Sequence, residues 1–306
     1  MKTVAGFHHK VLRGILKFSP VSPIAPLYFL LGELPMEAAI HLDTLTLFWN
    51  IWANTQTKVS EIVKYLLMMT SSSSLTWTAH LRLLFQLYDL PDPLALMSSN
   101  PWPKESWKLT TKTAVTVYHE RKWRELAAGN SKLSFFNVQT LGLSGRPHSV
   151  LSNILTTQEV PRSRVHLKML AGDYPCHAYL GSDQAKDDTC PLCQSLFPDQ
   201  PAPIEDMVHL LTRCRATTDT RGRFTPELLN KISKFFPNNP IVDLPNQTHL
   251  TQLILDPTSL NLPPTIRISP GHPALPQILT TCRSLCFAVH KDRTKQLKDL
   301  GQRSLT

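Results

Sequence analysis

Four residues in one short window have the types and spacing to hold a metal ion. Cys190, Cys193, His209 and Cys214 lie in TCPLCQSLFPDQPAPIEDMVHLLTRC (189–214), and three of the chain's six cysteines fall inside it. The pattern is Cys-x2-Cys-x15-His-x4-Cys. Zinc takes four sulfur or nitrogen ligands at tetrahedral angles, and Cys-x2-Cys supplies two thiolates from one tight turn, here through Pro191 and Leu192. The second pair is expected from a helix end. Ile204, Met207, Val208 and Leu211 recur at helical spacing, with Glu205 and Asp206 in the first turn, where the helix dipole favours acids. On an ideal helix the five residues from His209 to Cys214 turn through about 500°, which leaves Cys214 about 140° away from His209. The helix must therefore end or loosen before Cys214. The alternative is three ordinary thiols, buried as small hydrophobes, and a surface histidine. A metal accounts better for order in the polar, Pro-rich PDQPAP stretch.

Other cysteines are weaker candidates. Cys282 and Cys286 lie four apart on an expected helix and read as paired core residues. Cys176 with His177 is a substitute ligand pair, but far from Cys190 in sequence. No secretory signal precedes these thiols, so a reducing compartment is expected, and cysteines read as thiols or ligands rather than disulfides.

The elements that must position the window are helical. Val4, Phe7, Val11, Ile15 and Phe18 form one stripe, with Lys10, Arg13 and Lys17 on another face. SPVSPIAP breaks that helix. Met36–Trp52 is apolar nearly all round, as in a buried helix. Thr57 can cap a helix carrying Val59, Ile62, Val63, Leu66 and Leu67. The serines at 71–74 read as loop. Trp77, Leu81, Leu84 and Tyr88 mark a helix stopped by Pro91 and Pro93. SSNPWP (98–103) reads as a joint before a basic helix over Lys104–Ala128. Asn137–Pro147 reads as loop, and Ser149–Gly172 as helix in two pieces split at Pro161. Short helices with Pro-rich connections follow Arg223, and a last helix runs from Leu275 to Leu300. Strand signals are few. The expected class is mainly α, a helical array with a small Cys-Cys-His-Cys zinc module. The expected segments are 1–97 (apolar, helical), 98–172 (basic, helical), 173–223 (the module) and 224–306 (Pro-rich connections and the last helix).

Charge limits what the module can do alone. The net charge is +9. Residues 1–20 carry four basic groups and no acid, and 104–132 carry seven against three. Residues 162–223 balance at eight of each. The surplus lies outside the cysteine window, so a grip on nucleic acid must borrow cations from elsewhere. Lys104, Lys108, Lys112, Arg121, Lys122 and Arg124 are candidate phosphate contacts, with Trp107 or Trp123 to stack on bases. The rival reading of these residues is a solvated helix face over core tryptophans. Arg162, Arg164 and Lys168 before the window, and Arg213 and Arg215 (with Arg221 and Arg223) after its ligands, are further candidates. No run of about 18 apolar residues marks a membrane span. The basic N-terminus lacks an apolar signal core, and a mitochondrial presequence is a minor alternative to an intracellular, cytoplasmic or nuclear location.

Three stretches carry a family resemblance: PLYFLLGELPMEAAIHLDTLTLFWNIWANTQTK (26–58), SRVHLKMLAGDYPCHAYLGSDQAKDDTCPLC (163–193) with DMVHLLTRC (206–214), and ILDPTSLNLPPTIRI (254–268). The chain resembles the region that follows the polymerase core in the reverse-transcriptase open reading frames of animal non-LTR (LINE-type) retrotransposons. Cys190, Cys193, His209 and Cys214 match the family's C-terminal knuckle one by one. The resemblance implies a helical post-polymerase segment with a zinc-knuckle-like module that assists RNA or DNA handling, beside the polymerase domain of a complete element. It also implies a fragment that starts where the catalytic part has ended. The family's aromatic-x-Asp-Asp motif, which holds two metal ions, is absent. Asp187-Asp188 follows Ala185-Lys186 and reads as a solvated acidic turn. Gly-x-Ser-x-Gly, His-Glu-x-x-His and Gly-x4-Gly-Lys are also absent, and His8, His9, His41, His80 and His119 have no partner at catalytic spacing. No enzyme and no small-molecule substrate are expected. The rival to a nucleic-acid-binding segment is a structural or protein-interaction module in which zinc only stabilises the fold.

Overall fold

The computed structural model describes residues 2–54, 56–69, 76–138, 141–143, 145–154, 156–179, 188–235, 246–259 and 261–301. The 71–74 loop expectation and Asp187 lie outside the described residues. The elements, in order, are α1 (Lys2–Leu16), α2 (Ala25–Leu31), α3 (Met36–Ala53), α4 (Lys58–Met69), α5 (Trp77–Leu87), α6 (Pro93–Met97) and α7 (Lys104–Ala128), then α8 (Ser149–Ser152), α9 (Glu159–Leu170), α10 (Pro191–Leu196), α11 (Thr218–Phe235), α12 (Gln247–Leu255) and α13 (Leu275–Asp299). The protein is mainly α. Among the described residues the only extended pairing is an antiparallel bridge, Thr189 with Ile204. No helix is long and apolar enough to cross a membrane.

The chain forms two compact units. The first comprises residues 1–10, 32–125 and 142–146, and the second 11–31, 126–141 and 147–306. This grouping cuts across the four segments expected from composition, because 98–172 is divided between both units. The core of the first unit is aromatic. Phe48 lies 5.0 Å from Phe85 and 5.8 Å from Trp107 between ring centres, and Trp52 lies 5.8 Å from Trp107. A buried indole needs an acceptor for its one donor. Trp107 Nε1 donates to Leu45 O at 3.0 Å, Trp52 Nε1 to Ser99 O at 3.1 Å, and Trp49 Nε1 to Trp102 O at 2.9 Å. The expected joint at 98–103 is thus tied into this core. Tyr88 Oη bridges two buried imidazoles, His41 Nδ1 at 2.5 Å and His119 Nε2 at 3.2 Å.

The helix starts and stops follow local chemistry. Thr57 Oγ1 accepts from Ser60 N at 3.3 Å and caps α4, and Asp92 Oδ1 accepts from Leu94 and Ala95 N at the start of α6. Three expectations fail for tertiary reasons. Met36–Trp52 is not buried all round: Ala38, His41, Leu45, Phe48 and Trp52 face inward, while Leu47 is 49% exposed. The stripe assigned to α1 is largely outside, with Phe7 65% and Ile15 61% exposed, while Leu12, Leu16 and Phe18 are buried. Ser149–Gly172 breaks at 153–158, and Pro161 lies in the first turn of α9, where no helical N–H is needed. A fourth expectation, of short helices after Arg223, gives way to α11, which runs through Pro226.

In the second unit α13 is the central helix. It packs against α9 and α11 and also meets α10 and α12. Ile278, Leu279, Cys282, Leu285, Cys286 and Val289 are buried along it at intervals of three and four. Arg283 is wholly buried and donates to Asn153 O and Val150 O at 2.8 Å each, with Glu159 at 3.6 Å as counter-ion. It thereby anchors the α8–α9 junction on α13.

Candidate metal centre

The two halves of the centre are built by different local structures. In the first, residues 188–190 run antiparallel to 203–205. Cys190 N donates to Pro203 O at 2.7 Å, and Glu205 N to Asp188 O at 2.8 Å. Cys190 is the N-cap of α10, with Pro191 as its first residue. Proline fits that position because its fixed φ is helical and no donor is lost there. Cys193 then falls in the first turn, on the same side as Cys190.

The second half answers the helical-phase problem. His209–Arg213 is a π-helical turn, and Cys214 N donates to His209 O at 2.7 Å, an i→i+5 bond. The wider turn takes about one extra residue. Five residues therefore bring Cys214 back to the side of His209 instead of pointing it away. Asp206 Oδ1 accepts from His209 N at 2.6 Å and fixes the entry to this turn.

The four ligand atoms lie within 4.8 Å of one another, and all four residues are buried. Cys190 Sγ and Cys193 Sγ are 3.9 and 3.8 Å from Cys214 Sγ, and Cys193 Sγ is 3.5 Å from His209 Nε2. A tetrahedral ion with bonds of about 2.3 Å to sulfur and about 2.0 Å to nitrogen sets sulfurs about 3.8 Å apart, and sulfur and nitrogen about 3.5 Å apart. The observed spacings match. Backbone N–H groups of Cys193, Arg215 and Ala216 donate to the sulfurs of Cys190, Cys193 and Cys214 respectively, which favours thiolates. The Cys190 thiol also donates to Cys214, holding Cys214 down to about 4, and that bond pushes Cys190 up. Three buried thiolates cannot be charged together without a cation at their centre. The cluster could hold a metal ion, and three sulfurs with one imidazole suit zinc in a closed structural site.

A second layer of residues fixes the loops that carry the ligands. Glu205, expected as a dipole-favoured acid in a helix turn, instead precedes the helix and is fully buried. Arg293 on α13 grips it, Nε to Oε1 at 2.8 Å and Nη2 to Oε2 at 2.9 Å. Glu205 Oε2 also accepts from His177 N at 2.9 Å, and Arg293 Nη2 donates to Pro175 O at 2.9 Å. One ion pair thus ties the 175–177 segment, the bridge beside Cys190 and α13. Arg221 donates to Cys214 O and, at 2.7 Å, to Thr217 Oγ1. Leu192 and Leu297 pack on the cysteines. Sequence reasoning missed this layer: Glu205 and Arg293 are 88 residues apart, and nothing local marks either as buried.

Cys176 is buried outside the cluster, its thiol pushed up by burial. Cys282 and Cys286 are core residues, as their spacing implied, and Cys282 Sγ lies 3.8 Å from Leu253 O. The basic candidates divide between the units. On α7 in the first unit, Lys104, Lys108, Lys112 and Arg121 are exposed. Lys108 pairs with Glu105 at 3.3 Å, Lys122 with Glu37 at 3.9 Å and Arg124 with Glu120 at 3.1 Å, and Lys104 sits over the Trp49 ring. Trp107 and Trp123 are 1% and 7% exposed, so neither offers a face for base stacking as proposed from sequence. In the second unit, Arg164, Arg213 and Arg215 are exposed, and Arg162 and Lys168 half-buried. Arg162 reaches Ser284 Oγ at 3.5 Å, Arg213 donates to Gln247, and Arg215 to Gln200 Oε1 at 2.6 Å. The structure brings together the four proposed ligands and sets Arg213 and Arg215 beside them. Compared with known proteins, the chain matches no family model, no curated protein and no solved structure.

Proposed function

We propose that this protein is a zinc-stabilised, non-catalytic nucleic-acid-binding segment, related to the region that follows the polymerase core of LINE-type reverse transcriptases. The observation that carries the reading is the buried Cys190–Cys193–His209–Cys214 cluster, whose 3.5–3.9 Å ligand spacings suit one tetrahedral ion. Zinc fixes the module; cations supply the grip. Support for that grip comes from Lys104, Lys112 and Arg121 on α7 and Arg213 and Arg215 beside the cluster. All five are exposed and form no ion pair among the described residues. Nucleic-acid chemistry here is holding and positioning, not bond-making.

The test is binding of short single-stranded RNA and DNA by the zinc-loaded chain across a salt series. Each phosphate contact contributes about −0.7 to the slope of log affinity against log salt. Replacing Lys104, Lys112 and Arg121 by alanine should flatten the slope and weaken binding of all sequences alike. Absence of binding at low salt refutes the reading. One observation favours the rival, a protein-docking module: Val59, Ile62, Tyr65 and Met69 on α4 are 56%, 56%, 61% and 68% exposed, more apolar surface than a solvated helix needs. Binding of a protein partner with no affinity for nucleic acid would favour it.

A further inference from the structure

A cleft of about 230 Å³ opens beside the metal cluster. Its floor is Cys193 and His209, its apolar wall is Phe197, Pro201 and Pro203, and its rim carries Gln200, Arg213 and Arg215. No carboxylate lines it. We infer that this cleft takes one unpaired nucleotide of a single strand, with the base inward and the phosphate on the rim. The inference rests on the zinc-dependent nucleic-acid reading above and names the place and the ligand.

The polarity of the cleft selects the ligand. Three thiolates and a neutral imidazole around a divalent ion leave a floor with one net negative charge. An anion is therefore repelled from the floor and drawn to the rim. The occupant must be neutral and planar within and anionic at its edge, which describes a nucleotide and not an acidic side chain or a bare phosphate. The arginines are set for this. The Arg215 guanidinium lies 4.6 Å from the centre of the Phe197 ring, and Gln200 Oε1 accepts from its Nη1 at 2.6 Å. A guanidinium held flat in this way offers its outer face as a stacking plane for a base. Arg213 uses Nε on Gln247, which leaves its terminal nitrogens for phosphate oxygens. The volume admits a single ring system and excludes a base pair, so an unpaired strand is preferred.

The test uses the full zinc-loaded chain and a ten-residue mixed-sequence single-stranded oligonucleotide, the same sequence as a duplex, inorganic phosphate and a polyglutamate peptide. Wild type should bind the single strand at least several-fold more tightly than the duplex, and phosphate and polyglutamate far more weakly. Arg213→Ala with Arg215→Ala should weaken single-strand binding about tenfold or more and reduce the salt slope by about 1.4. Phe197→Ala should weaken it about fivefold or more. Arg223→Ala, outside the cleft, should change it less than about twofold, and all variants should keep their metal. Should the double variant lose metal, the two single variants, each about threefold weaker, serve instead. If the single strand binds wild type but the cleft variants bind it equally well, the cleft assignment fails while the nucleic-acid reading stands. Equal affinity for the duplex, for phosphate or for polyglutamate also overturns it. If no oligonucleotide binds wild type, the parent reading falls and the cleft with it.

Discussion

Glu205→Gln isolates the ion pair that holds the metal-bearing loops on α13. The side chain is fully buried, and its partner Arg293 is 3% exposed. Two short bonds join them, at 2.8 and 2.9 Å. The substituted amide would keep one acceptor oxygen but turn its NH2 donor toward a guanidinium that has only donors, leaving Arg293 buried without a counter-ion. Breaking a buried pair from one side costs about 3–5 kcal/mol. At about 2–4 °C per kcal/mol for a domain of this size, the second unit should melt about 6–20 °C lower. Because Glu205 N also donates to Asp188 O beside Cys190, the metal should be lost at lower chelator concentration. The assay is thermal melting followed by circular dichroism, with metal release read by a chromogenic chelator. The double variant Glu205→Gln/Arg293→Met removes both charges and should cost about 2–3 kcal/mol less than the sum of the two single changes. A destabilisation of Glu205→Gln under about 1 kcal/mol, or strict additivity in the double variant, refutes the reasoning.

Two further changes probe the packing around the centre. His166 is fully buried, with Nε2 3.0 Å from Ile254 O, and burial holds its pKa down to about 4. Its folded value lies below the unfolded one, so its stabilising contribution is complete above about pH 6.5 and lost as pH falls toward 4. That loss is about 3 kcal/mol, and His166→Gln should flatten the fall in urea midpoint between pH 6.5 and 4; an unchanged pH profile would count against it. Gly172 has φ +68°, and a Cβ there would meet Lys132 O at 2.6 Å. Gly172→Ala should therefore destabilise the second unit by about 1–3 kcal/mol in the same denaturation assay, and a neutral result would show that the turn can relax.

Much of the helical plan is legible in local sequence, because periodicity and punctuation act locally. The basic helix at Lys104–Ala128 and the final helix from Leu275 stand where their patterns place them. The four ligands are legible because Cys-x2-Cys and His-x4-Cys are short-range geometry, and the phase mismatch between His209 and Cys214 already requires a loosened helix. What sequence hides is which face meets what. The α1 stripe is as amphipathic as a buried one, yet Leu12 and Leu16, on the adjoining face, are the buried residues. Trp107 and Trp123 sit among lysines in sequence and inside the protein in space. Glu205 with Arg293, and Arg215 over Phe197, depend on chain crossings that no local spacing encodes. Pro226 shows the same limit, since a proline that should end a helix is carried within α11.

The measurement closest to the central claim is metal content per chain, by elemental analysis of protein purified without added chelator. Wild type, Cys190→Ser, His209→Ala and the core control Cys282→Ala should be compared side by side. The account predicts one zinc per chain in wild type and in Cys282→Ala, and a marked loss in Cys190→Ser and His209→Ala. Equal metal content in all four proteins, or none in wild type, would contradict it.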